Sequence, residues 1–205
     1  MEKLTLYTHP QTRGTTAHWM LEEIGETYDI KWTALGPKGT RSADFKKINA
    51  MGKLPTLTHG NKVISETAAI CLYLADCFPS AKLAPEPAEK ADYYRWSFFS
   101  AGPLEHAVTN RAFKLKPTED KSGQLGYGSF DLAIYALEKH FDENHFVCGS
   151  RFTAADVIVG SQVIWGLQFE TIPELTAFEN YRDRLVQRLA FKQMTKICQM
   201  QIEKS

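Results

Sequence analysis

Pro55 stands at the head of an apolar, strand-forming run, Gly52-Lys53-Leu54-Pro55-Thr56-Leu57. Proline has no N–H to give to a sheet ladder, so this residue belongs at a strand start, on a sheet edge or in a tight turn. An X-Pro bond in such a turn also has access to the cis form. The backbone of Leu54, beside a residue that cannot extend a ladder, is offered to an outside peptide in the manner of strand addition. Shortly afterwards, Ile64-Ser65-Glu66-Thr67-Ala68-Ala69-Ile70 opens an amphipathic helix at Glu66-Thr67, where free backbone N–H groups suit a carboxylate. A backbone clamp beside a carboxylate site reads as a receptor for a small acidic peptide.

The surrounding pattern alternates strand and helix. Lys3–Thr8 reads as a strand. Thr15–Glu26 reads as a helix, with Ala17, Met20, Leu21 and Ile24 on one face and Gly25 placed for a C-cap. Tyr28–Ala34 is expected as a strand and Ser42–Ile48 as a short helix. Lys53–Thr58 and Lys62–Ile64 form a hairpin around His59-Gly60-Asn61, and Ser65–Phe78 forms a helix. Three prolines in the nine residues Pro79–Pro87 suit a linker. Beyond it only helices are expected: Glu89–Ser100, Leu104–Lys114 after a break or kink at Gly102-Pro103, Phe130–Phe141, a helix opened by Phe152-Thr153-Ala154-Ala155-Asp156-Val157, and Tyr181–Ile202. Thr153 and Asp156 form a capping box, with Phe152 and Val157 as its hydrophobic staple. Residues 1–78 thus read as an α/β domain, 79–88 as a linker and 89–205 as an all-α domain.

Composition narrows the function. Lys+Arg and Asp+Glu both number 24 in the 205-residue chain, which argues against nucleic acid or an anionic membrane as the main partner. No apolar run reaches membrane-spanning length. The first residues alternate like a strand and lack a signal-peptide core, so a cytoplasmic protein is expected. The four cysteines, Cys71, Cys77, Cys148 and Cys198, are scattered without a C-x-x-C pair. No metal site or disulfide framework is expected, and all four read as small buried apolar residues.

In order and spacing, these motifs resemble the cytosolic glutathione S-transferases over nearly the whole chain, in a bacterial-type form with a serine/threonine-like active-site loop. Asn49-Ala50-Met51-Gly52-Lys53-Leu54-Pro55 is similar to the family's Asn-Pro-x-Gly-Lys-Val-Pro run. Glu66-Thr67 matches its Glu-Ser pair, and Phe152–Asp156 matches the capping motif of its central helix. Arg188-Leu189-Ala190-Phe191 is similar to its Arg-Pro-Ala-Phe. The resemblance implies a thioredoxin-like N-terminal domain, an all-helical C-terminal bundle and a homodimer. It identifies the acidic peptide as glutathione, a co-substrate. Leu54 would pair with its backbone beside Pro55, Glu66 and Thr67 would hold the γ-glutamyl amine and carboxylate, and Lys53 the glycyl carboxylate.

Such chemistry needs the glutathione thiolate, because the anion is the nucleophile. Lowering a thiol pKa from about 8.5 by two units requires roughly 2.7 kcal/mol of preferential stabilisation of the anion. A hydroxyl and the N-terminus of the first helix are suited to this. Where family members with this local pattern carry serine before Arg-Gly, this chain has Thr12, followed by Arg13-Gly14. Thr12 is the expected activator, and Arg13 adds positive potential. Tyr7 lies one position early for a catalytic tyrosine and reads as a strand residue; His9 reads as a loop residue.

The resemblance places the second-substrate pocket in the helical domain, with Phe99, Glu105, Phe113, Tyr127 and Trp165 as its candidates. The partner expected there is a small apolar electrophile, to which glutathione is conjugated in detoxification. Two other readings stay open: a glutathione-dependent peroxidase or isomerase on the same fold, and a non-catalytic binding protein.

Overall fold

Strand β1 (Leu4–Thr8) is the axis of the first part of the chain. It pairs in parallel with β2 (Tyr28–Trp32) and antiparallel with β3 (Thr56–His59), and β3 pairs antiparallel with β4 (Lys62–Ser65), giving the order β2-β1-β3-β4. The computed structural model describes residues 2–115 and 118–204. Leu4, Leu6 and Leu57 are buried on the sheet. Helix α1 (Gly14–Ile24) makes the crossover from β1 to β2 and ends at Gly25, φ +71°, whose N–H closes on the Leu21 carbonyl. That left-handed position carries no Cβ penalty for glycine. Helix α2 (Ala43–Ile48) is capped by Ser42, whose Oγ accepts from the Phe45 N–H at 3.1 Å. Helix α3 (Thr67–Cys77) follows β4.

Most element ends differ from the sequence expectation by one or two residues, and two of the differences bear on the site. β3 begins at Thr56, after a cis Leu54–Pro55 bond, not at Lys53. α3 begins at Thr67, because Ser65 is still paired with Thr56 in the ladder.

By packing, the chain divides into two units, Met1–Leu83 with Gln187–Ser205, and Ala84–Val186. Composition groups the last helix, α9 (Leu189–Ile202), with the helical region; its contacts are with α1. α1 is buried nearly all round, including Trp19, Met20 and Leu21, so one side of it needs a cover that the sheet cannot give. α9 supplies it. Phe191 meets Trp19 edge-on at 5.0 Å, and the Arg188 guanidinium grips both Glu23 carboxylate oxygens at 2.6 and 2.7 Å. Trp19 Nε1 donates to the same carboxylate at 2.8 Å.

Beneath this contact lies a chain of polar groups. His18 is fully buried; its Nε2 is 2.8 Å from the Tyr28 hydroxyl, and its Nδ1 is 3.6 Å from Cys198 Sγ. The Tyr28 hydroxyl donates to Glu22. One assignment satisfies every group: thiol to Nδ1, Nε2–H to the phenol, phenol to carboxylate. It keeps the imidazole neutral, and burial lowers its pKa to about 4.

In the second unit, α4 (Lys90–Phe99) runs into α5 (Glu105–Ala112) through a π-helical turn, Ser100–Leu104. The sequence predicts a break or kink at Gly102-Pro103, and the structure has no break there. The wider turn carries Pro103 inside a continuous helical path, since it relieves the demand for the missing N–H and the clash of the ring with the preceding turn. Next come α6 (Phe130–Glu143), α7 (Ala154–Gln168) and α8 (Thr176–Val186). The expected single helical region Tyr181–Ile202 is two helices, α8 and α9, and it starts earlier, at Thr176. The sheet unit followed by helices is the thioredoxin-like plus all-helical arrangement that the resemblance implies. Among the described residues no helix is long and apolar enough to cross a membrane.

The capping box forms as expected: the Thr153 N–H donates to Asp156 Oδ2 at 2.8 Å. Asp156, fully buried, does more than cap. It also accepts from the Val147 N–H at 2.7 Å, the Tyr181 hydroxyl at 2.9 Å and the Thr153 hydroxyl at 3.2 Å. Burial raises its pKa to about 6 against the pull of these donors. The cysteines do not all behave as expected. Cys71 and Cys198 are buried, but Cys148 is half-buried and Cys77 is exposed, because it ends α3 on the face away from Cys71.

Two predictions follow from these buried groups. Asp156→Ala strands the Val147 and Thr153 N–H groups and the Tyr181 hydroxyl, and is expected to cost about 3–5 kcal/mol in urea denaturation, against about 1 kcal/mol for Tyr181→Phe. His18 has a folded pKa below its unfolded value, so its contribution is full above about pH 6.5 and is lost as pH falls through about 4. Asp156, with its pKa raised, acts in the opposite sense in the same window: its contribution is lost as pH rises through about 6. Wild type minus His18→Gln stability is therefore expected to shrink by about 3 kcal/mol between pH 7 and pH 4.

Candidate active site

The ladder register gathers the sequence candidates at one end of the sheet. Tyr7 on β1 is paired with Thr56 on β3, and Thr56 with Ser65 on β4. One step beyond that row come Thr8, Pro55 and Glu66. Thr8 leads into the loop 9–13 and α1, Pro55 follows Leu54 and Lys53, and Glu66 leads into α3. Thr12, Arg13, Lys53, Leu54, Pro55, Glu66 and Thr67 therefore emerge from neighbouring strand ends, with the N-termini of α1 and α3 beside them.

Local hydrogen bonds shape each segment. In the first loop the Thr12 hydroxyl donates to the His9 carbonyl at 2.8 Å and accepts from the Gly14 N–H at 3.2 Å. Its proton is thus held within the loop, and Thr12 itself is half-buried. The His9 carbonyl also receives the Thr12 N–H at 3.2 Å. Arg13 is exposed at the start of α1. His9 Nδ1 accepts from the Gln11 N–H, and Tyr7 sits in β1 with its ring edge-on to Phe45 at 5.9 Å.

The proline segment is braced by Asn49, the first residue of the Asn49–Pro55 run. The Asn49 side chain, nearly buried, donates to the Lys53 carbonyl at 3.1 Å and to the Thr56 hydroxyl at 2.9 Å, and accepts from the Met51 N–H at 3.0 Å. Gly52 completes the turn at φ +61°, where a Cβ would lie 2.7 Å from the Thr40 carbonyl oxygen. An asparagine two to four residues ahead of a glycine turn is the available sequence signal for such a brace. It holds Leu54 half-buried, and among the described residues no hydrogen bond engages the Leu54 N–H or C=O. Lys53 is exposed.

Glu66 takes φ +69° and ψ +119°, outside the regions open to ordinary residues. Holding a non-glycine residue there costs about 1–3 kcal/mol and is found mainly at functional positions. Glu66 is exposed and Thr67 half-buried, and α3 has no acidic residue in its first turn and no side-chain cap.

The second-substrate candidates are spread over the helical unit. Phe99 ends α4 with its ring against Trp96 at 5.1 Å, and Trp165 on α7 meets Phe169. Glu105 opens α5 and accepts from Gln162 Nε2 on α7 at 2.6 Å. Phe113 is 71% exposed. Only Tyr127 of these five lines the cavity of about 940 Å³ between α5 and the start of α6, together with Asn110, Arg111 and Phe130. The Tyr127 hydroxyl accepts from Asn110 Nδ2 at 2.8 Å.

Comparison with known proteins agrees with this geometry. Residues 2–76 match the family model for the glutathione S-transferase N-terminal domain. Glutathione S-transferase Z1 of Arabidopsis thaliana is 34% identical over 203 residues, covering 87% of this chain and 91% of that protein. Glutathione S-transferase A of Pleuronectes platessa is 30% identical over 175 residues, 78% of each chain. Among solved structures, the theta class glutathione S-transferase of Xanthomonas axonopodis pv. citri, with glutathione bound, superposes with a TM-score of 0.74 at 22% identity, over 95% of this chain and 98% of that one. A sheet unit with a cis-proline turn between two helix N-termini, joined to a helical unit, defines a thioredoxin-like transferase architecture. The chain belongs to the glutathione S-transferase family.

The strained residue generates a test of its own. Glu66→Gly removes the Cβ that makes φ +69° costly, and is expected to raise stability by about 1 kcal/mol in urea denaturation.

Proposed function

We propose that this protein conjugates the thiolate of glutathione to a small hydrophobic electrophile. The observation that carries the reading is the Leu54 backbone, unpaired among the described residues, in a turn that Asn49 braces through the Lys53 carbonyl between the N-termini of α1 and α3. A peptide laid along Leu54 beside Pro55 exchanges backbone hydrogen bonds with it, as in strand addition. The Glu66 carboxylate complements the γ-glutamyl ammonium group. Thr67, with the open N–H groups of the first turn of α3, complements the adjoining carboxylate. Lys53 serves the glycyl carboxylate, and Arg13 adds positive potential at the sulfur. The glutathione carried by the Xanthomonas fold neighbour supports the same ligand.

Thr12 is the activator in this reading. Its hydroxyl turns its proton from the His9 carbonyl to the sulfur; the carbonyl keeps the Thr12 N–H, so the turn leaves no buried acceptor empty. The hydrogen bond and the α1 N-terminus favour thiolate over thiol. The thiol proton passes to solvent, and the sulfur lone pair forms the new bond to carbon of the electrophile as the electron pair of the bond it breaks leaves with a departing group, halide ion in the case of an aryl halide. Phe99, Glu105, Phe113, Tyr127 and Trp165 are proposed to meet that electrophile. The assignment extends to residues 1–78 as the glutathione-binding domain, 79–88 as linker and 89–205 as the helical domain of a cytoplasmic homodimer that serves detoxification.

The test is Thr12→Val. Retention on immobilised glutathione is expected to persist, while turnover of a chromogenic aryl halide falls about 100-fold, as for loss of one donor to a developing anion. Unchanged turnover overturns the activator, and peroxide reduction without conjugation overturns the reaction.

A further inference from the structure

Thr8 ends β1 and opens the loop that carries Thr12. Its side chain is 1% exposed, and its Oγ has no hydrogen-bond partner among the described residues. A buried hydroxyl without a partner is unfavourable. Valine, nearly the same shape and an equally good strand former, would fill the site without that cost. Packing alone gives no reason for the oxygen.

The surroundings give one. A Cβ built on Gly14 would lie 2.0 Å from Thr8 Oγ and 3.0 Å from Thr12 Oγ. The missing side chain of Gly14 therefore lets both hydroxyls converge on the N-terminus of α1. Thr12 Oγ has one proton and two lone pairs. The proton goes to the His9 carbonyl and one lone pair takes the Gly14 N–H; among the described residues nothing donates to the other.

We propose that Thr8 is a positioning residue for the thiol chemistry. When Thr12 turns its proton toward the glutathione sulfur, the Thr8 side chain turns to donate its hydroxyl to Thr12 Oγ, a contact it does not make while the Thr12 proton is on the His9 carbonyl. Two donors, Thr8 O–H and Gly14 N–H, then hold Thr12 Oγ with its own proton aimed outward. Successive hydrogen bonds polarise one another, so the outward proton becomes a stronger donor to the anion. No proton changes owner; the Thr12 and Thr8 hydroxyls are redirected, and the Gly14 N–H keeps its bond to Thr12 Oγ. The inference rests on the reading of Thr12 as the activating group.

The experiment titrates the thiolate absorbance of enzyme-bound glutathione in Thr8→Val, Thr8→Ser, Thr12→Val and the Thr8→Val/Thr12→Val double variant, with a thermal midpoint for each. Thr8→Val is expected to raise the bound thiol pKa by about 0.5–1, the effect of one hydrogen bond, with a midpoint equal to or above wild type. Thr8→Ser keeps the wild-type pKa. The double variant shows no further rise over Thr12→Val, because the two act as one unit. An unchanged pKa in Thr8→Val, with Thr12→Val shifted, overturns this inference alone. An unchanged pKa in Thr12→Val overturns the activator reading and the inference with it. Equal shifts in Thr8→Val and Thr8→Ser, with lowered midpoints in both, also overturn the inference, since they report packing.

Discussion

The pairing of Tyr7 with Thr56, and of Thr56 with Ser65, is the constraint from which the candidate site descends. Side chains alternate along a strand, so a slip of one residue would turn each strand over and move every loop at its end. Buried Leu6 and Leu57, directly opposed on β1 and β3, oppose such a slip. With the register fixed, three segments of unrelated sequence arrive side by side. None has a reason to be near the others on its own account.

The two units are secured by different physics. The helical unit relies on one buried carboxylate, Asp156, which gathers donors from the start of its own helix, from Val147 and from Tyr181 on α8. The sheet unit relies on apolar covering of α1 and on the grip of Arg188 on Glu23. The Asp156 and Glu23 carboxylates are tolerated inside because each has its donors. Among the described residues Thr8 Oγ in the sheet unit, like Trp96 Nε1 and the Ser97 and Ser100 hydroxyls in the helical unit, is buried without a hydrogen-bond partner, and Thr8 lies beside the candidate site.

Much of this was legible in the residue order. The proline turn, the β-α-β beginning, the Gly25 cap and the Thr153–Asp156 box are local signatures, each written within a few residues. What was not legible is set by distant or directional contacts. Pro103 reads as a break or kink because the rule for proline assumes an α turn, and the π turn carries the chain through without a break. Cys77 reads as buried by its residue type, but its place on the outer face of α3 decides. The residue type of Thr12 suggests a donor; it does not say that the proton already has an acceptor in His9. Asn49 was visible only as part of a motif, since its bracing of Lys53 and Thr56 depends on how the turn folds back.

The attachment of α9 to α1 has a consequence for how the protein is made. The first unit is discontinuous in the chain: residues Ala84–Val186 are synthesised between its sheet and its last helix. Domains generally fold as units while synthesis proceeds from the N-terminus. Here the sheet unit emerges first yet leaves the Trp19 side of α1 uncovered until Phe191 arrives. The helical unit, contiguous in sequence, has all of its core synthesised before α9 emerges, and the sheet unit completes its core only after it.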